Sequence, residues 1–150
     1  MHAYPRGFLT ALWVVLVLIF ATGIALAPGA LELRLEWDMP LRLPGGSRII
    51  VAAAHALGAF LSLLVIGALI PMHMRSGLRR RRSVVTGITL IALFSLLAIT
   101  GLAIYYVSAE SMSAWASASH LIVGLTLAIP LTVHVVRGRR FHRQRSLRSR

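Results

Sequence analysis

The chain has 150 residues, 57% of them hydrophobic and 13% charged, with a formal net charge of +12 at pH 7. Soluble chains run about 45–50% apolar and about 25% charged, so an ordinary soluble domain is excluded. There is no cysteine, which removes disulfides, thiolate metal sites and cysteine-held iron–sulfur clusters.

Four apolar runs, at about 8–27, 49–72, 84–107 and 114–136, each meet the roughly 20 residues needed to cross a bilayer as a helix. The first follows Arg6 and ends in ATGIALAPGA. It is longer than the 7–15 apolar residues typical of a secretory signal, so a retained helix is expected. Residues 31–43, LELRLEWDMPLRL, alternate apolar and polar. This period of two predicts a short outer β-ribbon or, more plainly, a lid over the bundle's end. Pro40 and the run Pro44-Gly45-Gly46 interrupt or close it. The second run carries His55 and His73 and leads into Arg75 and Arg79, Arg80, Arg81 and Arg82. The third has few polar residues. The fourth contains SHLIVGLTLAIPLTVH, with His120 and His134, and is followed by a basic tail at 137–150.

The expected architecture is a single all-α domain, a bundle of four transmembrane helices. All sixteen basic residues are arginine, and they concentrate between helices 2 and 3 and in the tail. The four acids, Glu32, Glu36, Asp38 and Glu110, fall in the other two loops. By the positive-inside rule both termini are cytoplasmic. Basic residues beside a membrane orient the chain and touch anionic lipid, so a nucleic-acid partner is not expected. The halves also resemble each other. LIFATGIALA is echoed by LLAITGLAIYY, and HMRSG by HVVRG. Thr22-Gly23 and Thr100-Gly101 read either as small-residue packing sites or as places where a flat ligand approaches the backbone. Trp13, Trp37, Trp115, Tyr105 and Tyr106 suit an interfacial aromatic belt.

His2 and His142 lie in the termini; the other four histidines lie on helices 2 and 4. His120 and His134 are fourteen residues apart, which brings them to within roughly 40° of one face and about 21 Å apart along the axis. His55 and His73 are eighteen apart, five whole turns, and share a face too. Helices 2 and 4 run the same way across the membrane. His55 lies seven residues after Arg48 and His120 seven after Ser113, while His73 and His134 shortly precede Arg75 and Arg137. An outer pair, His55 with His120, and an inner pair, His73 with His134, are therefore expected. The two spacings leave about 6 Å of mismatch for helix tilt to absorb. Ionisable residues inside membrane helices are rare and usually functional. Paired imidazoles on facing helices suit the two axial positions of haem iron. With no cysteine the expected haem is of the b type, two per chain, with electron transfer as its expected task.

On these residues the chain resembles the membrane cytochromes b, in particular small four-helix diheme proteins of the cytochrome b561-like type and b-type subunits of bacterial respiratory complexes. His120 with Gly124 and His134 with Gly138 carry the resemblance most closely; His55 with Gly58 and His73 with Gly77 match more loosely. The eighteen-residue spacing on helix 2 departs from the pattern. The resemblance spans the chain and implies transmembrane electron transfer as the membrane subunit of a larger redox complex in a bacterial plasma membrane. It also implies redox partner proteins and a link to quinone. Arg48, Arg75 and Arg137 are placed to meet haem propionates or to anchor the topology. Pro71 and Pro130 can bend the helices that carry the inner histidines. Ser62, Ser95, Thr126 and Thr132 are candidates to accept the second imidazole N–H. No self-contained catalytic set is visible. The alternative is a cofactor-free structural or assembly subunit whose histidines hydrogen-bond between helices. A small transporter lacks the expected intramembrane acids.

Overall fold

The computed structural model describes the backbone at 6–79 and 84–148 and the side chains at 7–71 and 84–139. The described residues form five helices, α1 (Arg6–Leu35), α2 (Gly45–Arg79), α3 (Val84–Tyr106), α4 (Glu110–Thr126) and α5 (Ala128–Arg148). They make four spans, Gly7–Leu35, Gly45–Pro71, Val84–Tyr106 and Glu110–Arg139, the last formed by α4 and α5 together. Even the shortest, at 23 residues, is about 34 Å long and exceeds the hydrocarbon thickness of about 30 Å. Helices form because hydrocarbon offers no water to the backbone, so each amide must bond within its own segment. Large apolar side chains cover the outside, among them Val17 (63% exposed), Ile88 (52%) and Ile122 (62%). Such a surface is untenable in water and ordinary in lipid. The protein is a multi-pass membrane protein.

The helices run longer than hydropathy alone suggests, because their ends continue beyond the apolar core. α1 passes through Pro28 to Leu35, and no strand occurs among the described residues, so the outer β-ribbon is not present. The alternating pattern reads differently on a helix. Leu31, Glu32 and Leu35 are half-buried on one side, while Leu33 and Arg34 face out, which is a helical period rather than a period of two. Glu36 ends the helix in the left-handed region (φ 54°), and the Trp37 amide returns to the Leu31 carbonyl at 3.2 Å. Arg42 pairs with Glu32 across this turn, and the Arg48 amide donates to the Pro44 carbonyl (2.8 Å) as α2 begins. At the second turn, Ser113 is buried and its hydroxyl reaches back to the Ile104 carbonyl of α3 (3.4 Å). Glu110 falls in the first turn of α4, where a carboxylate favours the helix dipole. The fourth span therefore starts at 110 rather than 114, and the loop shrinks to 107–109.

α4 and α5 meet at Leu127 with little change of direction in the bonding. Its amide donates to the Val123 carbonyl (2.9 Å), and the Leu131 amide donates to Leu127 (3.2 Å). The interruption has a chemical cause: Pro130 lacks the amide that would bond the Thr126 carbonyl. The residues of the expected tail, 137–148, continue α5 as helix.

Around the bundle the order is α1, α2, α3, α4 and back to α1, with α5 continuing against α3. Among the described residues no Cα atom of α2 lies within 8 Å of one in α4, and none of α1 within 8 Å of one in α3. α2 and α4 thus stand on a diagonal with space between their backbones. Few side chains are buried. Val15, Leu16, Leu90, Ala116 and Leu127 are the apolar ones, and Ser62, Thr100, Ser113 and Ser117 the polar ones. One end of the bundle carries the turns with the four acids and is here the acidic end; the opposite, arginine end carries the 79–84 connection.

Candidate functional site

The diagonal between α2 and α4 is spanned by two half-buried imidazoles. The ring centres of His55 and His120 are 6.2 Å apart with planes inclined at 73°. Two residues chosen by counting turns on separate helices therefore converge. Two imidazoles on opposite sides of one metal atom, each nitrogen about 2.0 Å from it and each ring centre about 1.1 Å further back, have centres about 6 Å apart. The separation also fits an edge-on ring contact.

Each ring is held from the side by the neighbouring helix. The Nδ1 of His55 is 2.9 Å from the Thr22 hydroxyl on α1, and the Nδ1 of His120 is 3.0 Å from the Thr100 hydroxyl on α3. The residue after each threonine is a glycine, and the imidazole lies over it. A Cβ built on Gly23 would stand 3.2 Å from Cε1 of His55, and one on Gly101 3.3 Å from Cε1 of His120. These glycines do admit a flat group to the backbone, and that group is the histidine ring.

The arrangement recurs toward the arginine end. His134 on α5 has its Nδ1 2.9 Å from the Thr86 hydroxyl on α3, with Cε1 3.8 Å from a Cβ built on Gly87. Thr86 and Thr100 are fourteen residues apart, as are His134 and His120, so the antiparallel register between α3 and the fourth span is the same at both sites. The side chain of His73, the partner expected for His134, lies outside the described residues, as do those of Arg75 and His142. His2 lies outside them altogether.

Three of the four hydroxyls expected to support the imidazoles are engaged elsewhere. Ser62 donates to the Ala59 carbonyl (2.7 Å), Thr126 to Ile122 (2.8 Å) and Thr132 to Ala128 (2.7 Å). These are i−3 and i−4 bonds within their own helices, the ordinary fate of a hydroxyl in an apolar helix. The supports are Thr22, Thr86 and Thr100 instead. Thr86 was not singled out from the sequence, although a signal existed: the dipeptide Thr-Gly occurs three times, and its two copies on α3 repeat the fourteen-residue histidine spacing. Arg48 sits at the acidic end against Gly29, its Cδ 3.7 Å from a Cβ built there, and with Glu32 and Arg42 it lines a cavity of about 390 Å³. Arg137 is exposed.

Among the described residues no group of three or more His, Cys, Asp or Glu side chains is gathered as a metal cage. Haem iron needs only two ligands from the protein, because the porphyrin supplies the other four. The donor set at His55 and His120, two imidazoles with no thiol or carboxylate beside them, fits that requirement. Searches of family models, curated proteins and solved structures find no match to this chain.

Proposed function

We propose that the protein is a membrane electron-transfer subunit that holds b-type haem between α2 and the fourth span. The observation that carries this reading is the His55–His120 pair, 6.2 Å between ring centres, on two helices whose backbones stay apart. His55 and His120 would hold one haem at the acidic end; His134, with His73, would hold a second toward the arginine end. Haem held by these histidines would supply reversible one-electron chemistry, suited to electron transfer. The chain's own residues then orient the ligands, keep water from the site with the apolar spans, and set the order of the two sites across the bilayer. In this reading the electrons pass between redox partner proteins, with quinone as a candidate donor or acceptor. The resemblance to cytochrome b561-like proteins and to b-type respiratory subunits supports it. The arginine distribution supports a bacterial plasma-membrane location with both termini cytoplasmic.

A second reading has an observation of its own. The three threonine–histidine bonds join different helices, as expected of a cofactor-free structural or assembly subunit held together by buried polar contacts. Single substitutions separate the two. His55→Ala or His120→Ala removes one b-type haem per chain on the first reading and leaves the other absorbance intact, and His134→Ala removes the second. A colourless protein after expression with ample haem, or haem content indifferent to all three substitutions, contradicts it.

A further inference from the structure

We infer that the pairs Thr22-Gly23 and Thr100-Gly101 are positioning residues that fix His55 and His120 as the Nδ1–H tautomer, leaving the Nε2 lone pair for a metal. The inference rests on the haem reading for its purpose, while the tautomer itself follows from hydrogen-bond accounting. A threonine hydroxyl has one proton. The Thr22 oxygen lies 2.6 Å from the Leu18 carbonyl and 3.1 Å from that of Ile19. Carbonyls only accept, so the hydroxyl proton is committed to them. The proton between Thr22 and His55 must then come from the ring, at Nδ1. Thr100 repeats the geometry, 2.8 Å from the Leu96 carbonyl and 3.2 Å from Leu97. Each ring thus faces an acceptor, the threonine oxygen, at Nδ1.

Metal-ligating histidines need such a hydrogen bond at the ring nitrogen that does not bind the metal. A hydrogen bond from one ring nitrogen fixes the tautomer, orients the ring and makes the other nitrogen more basic. Glycine completes the device. At positions 23 and 101 a methyl group would press on Cε1 at 3.2 and 3.3 Å, the ring atom between Nδ1 and Nε2. At position 87 the corresponding distance is 3.8 Å, an ordinary contact. The three sites therefore predict an unequal response to the same substitution.

The test is nitrogen NMR of full-length protein labelled with 15N-histidine, in lipid nanodiscs before and after haem addition. In haem-free protein His55 and His120 are expected as Nδ1–H with unprotonated Nε2. Thr22→Val and Thr100→Val release this preference and weaken haem retention at that site about ten- to a hundredfold. Thr→Ser restores both, which a merely space-filling role would not require. Haem retention falls with Gly23→Ala and Gly101→Ala and holds with Gly87→Ala. Nε2–H rings in the wild type, or Thr→Val variants with unchanged tautomer and haem retention, overturn the inference. Wild-type protein that takes up no haem, yet shows Nδ1–H rings that respond to Thr→Val, sinks the haem reading while the tautomer assignment stands.

Discussion

An imidazole inside a bilayer has two ring nitrogens to satisfy and no water to do it. Thr22, Thr100 and Thr86 each take one nitrogen, the Nδ1, of a histidine on another helix. Interhelical hydrogen bonds in membranes are worth about 0.6 kcal/mol on average, because the separated helices find other partners. Thr22→Val is therefore expected to lower stability by only about 0.6 kcal/mol, measured by denaturant unfolding in detergent. A loss of several kcal/mol would mean that Thr22 holds the bundle together rather than aiming a ligand. At this scale the sequence was partly legible. Turn counting from anchors brought His55 and His120 to one depth because helical rise and pitch are nearly invariant. It passed over Thr86, since a threonine beside glycine in an apolar helix looks like packing. The partner of a hydroxyl depends on which helix lies alongside, and spacing within one helix does not reveal that.

At the scale of elements, hydropathy located the four spans and misplaced their ends. The apolar runs measure the hydrocarbon-facing part of each helix, whereas the helix itself continues until a backbone conformation or a missing donor stops it. Residues 31–35 illustrate the difference. Their strict alternation of leucine with charge looks extended, but the preceding helix dictates their conformation, and the side that carries Leu31, Glu32 and Leu35 is the one that packs. The stop comes at Glu36, a non-glycine residue with φ 54°. A left-handed residue with a Cβ costs roughly 1–2 kcal/mol. Glu36→Gly is thus expected to stabilise the α1–α2 hairpin by up to about 1 kcal/mol, part of the gain being offset by glycine's greater freedom when unfolded. A rise in the thermal midpoint checks this; a fall would show that the Glu36 side chain contributes more than its backbone costs. Pro130, which can bend a helix, coincides with a one-residue interruption of the fourth span. The interruption at Leu127 is slight, because neighbouring amides keep the ladder going.

For the whole molecule, the proposed topology has four spans, with the arginines selecting the cytoplasmic side. The basic segments between α2 and α3 and after the fourth span predict cytoplasmic termini. A reporter that is active only in the cytoplasm, fused after Arg150, should be active. Replacing Arg79, Arg80, Arg81 and Arg82 by alanine should give a mixed orientation; unchanged topology would assign orientation to the tail alone. The doubled-hairpin pattern seen in the sequence corresponds to a diagonal arrangement in which α1 and α3 supply Thr-Gly pairs while α2 and the fourth span supply histidines. On the proposed reading, that division of labour leaves the centre of the bundle for haem. The most direct test is a reduced-minus-oxidised optical spectrum of the purified full-length protein, with haem quantified per chain. The account predicts a low-spin b-type spectrum and two haems per chain, with ferrous protein that does not bind carbon monoxide. Protein without haem, after expression with ample haem supply, would contradict it.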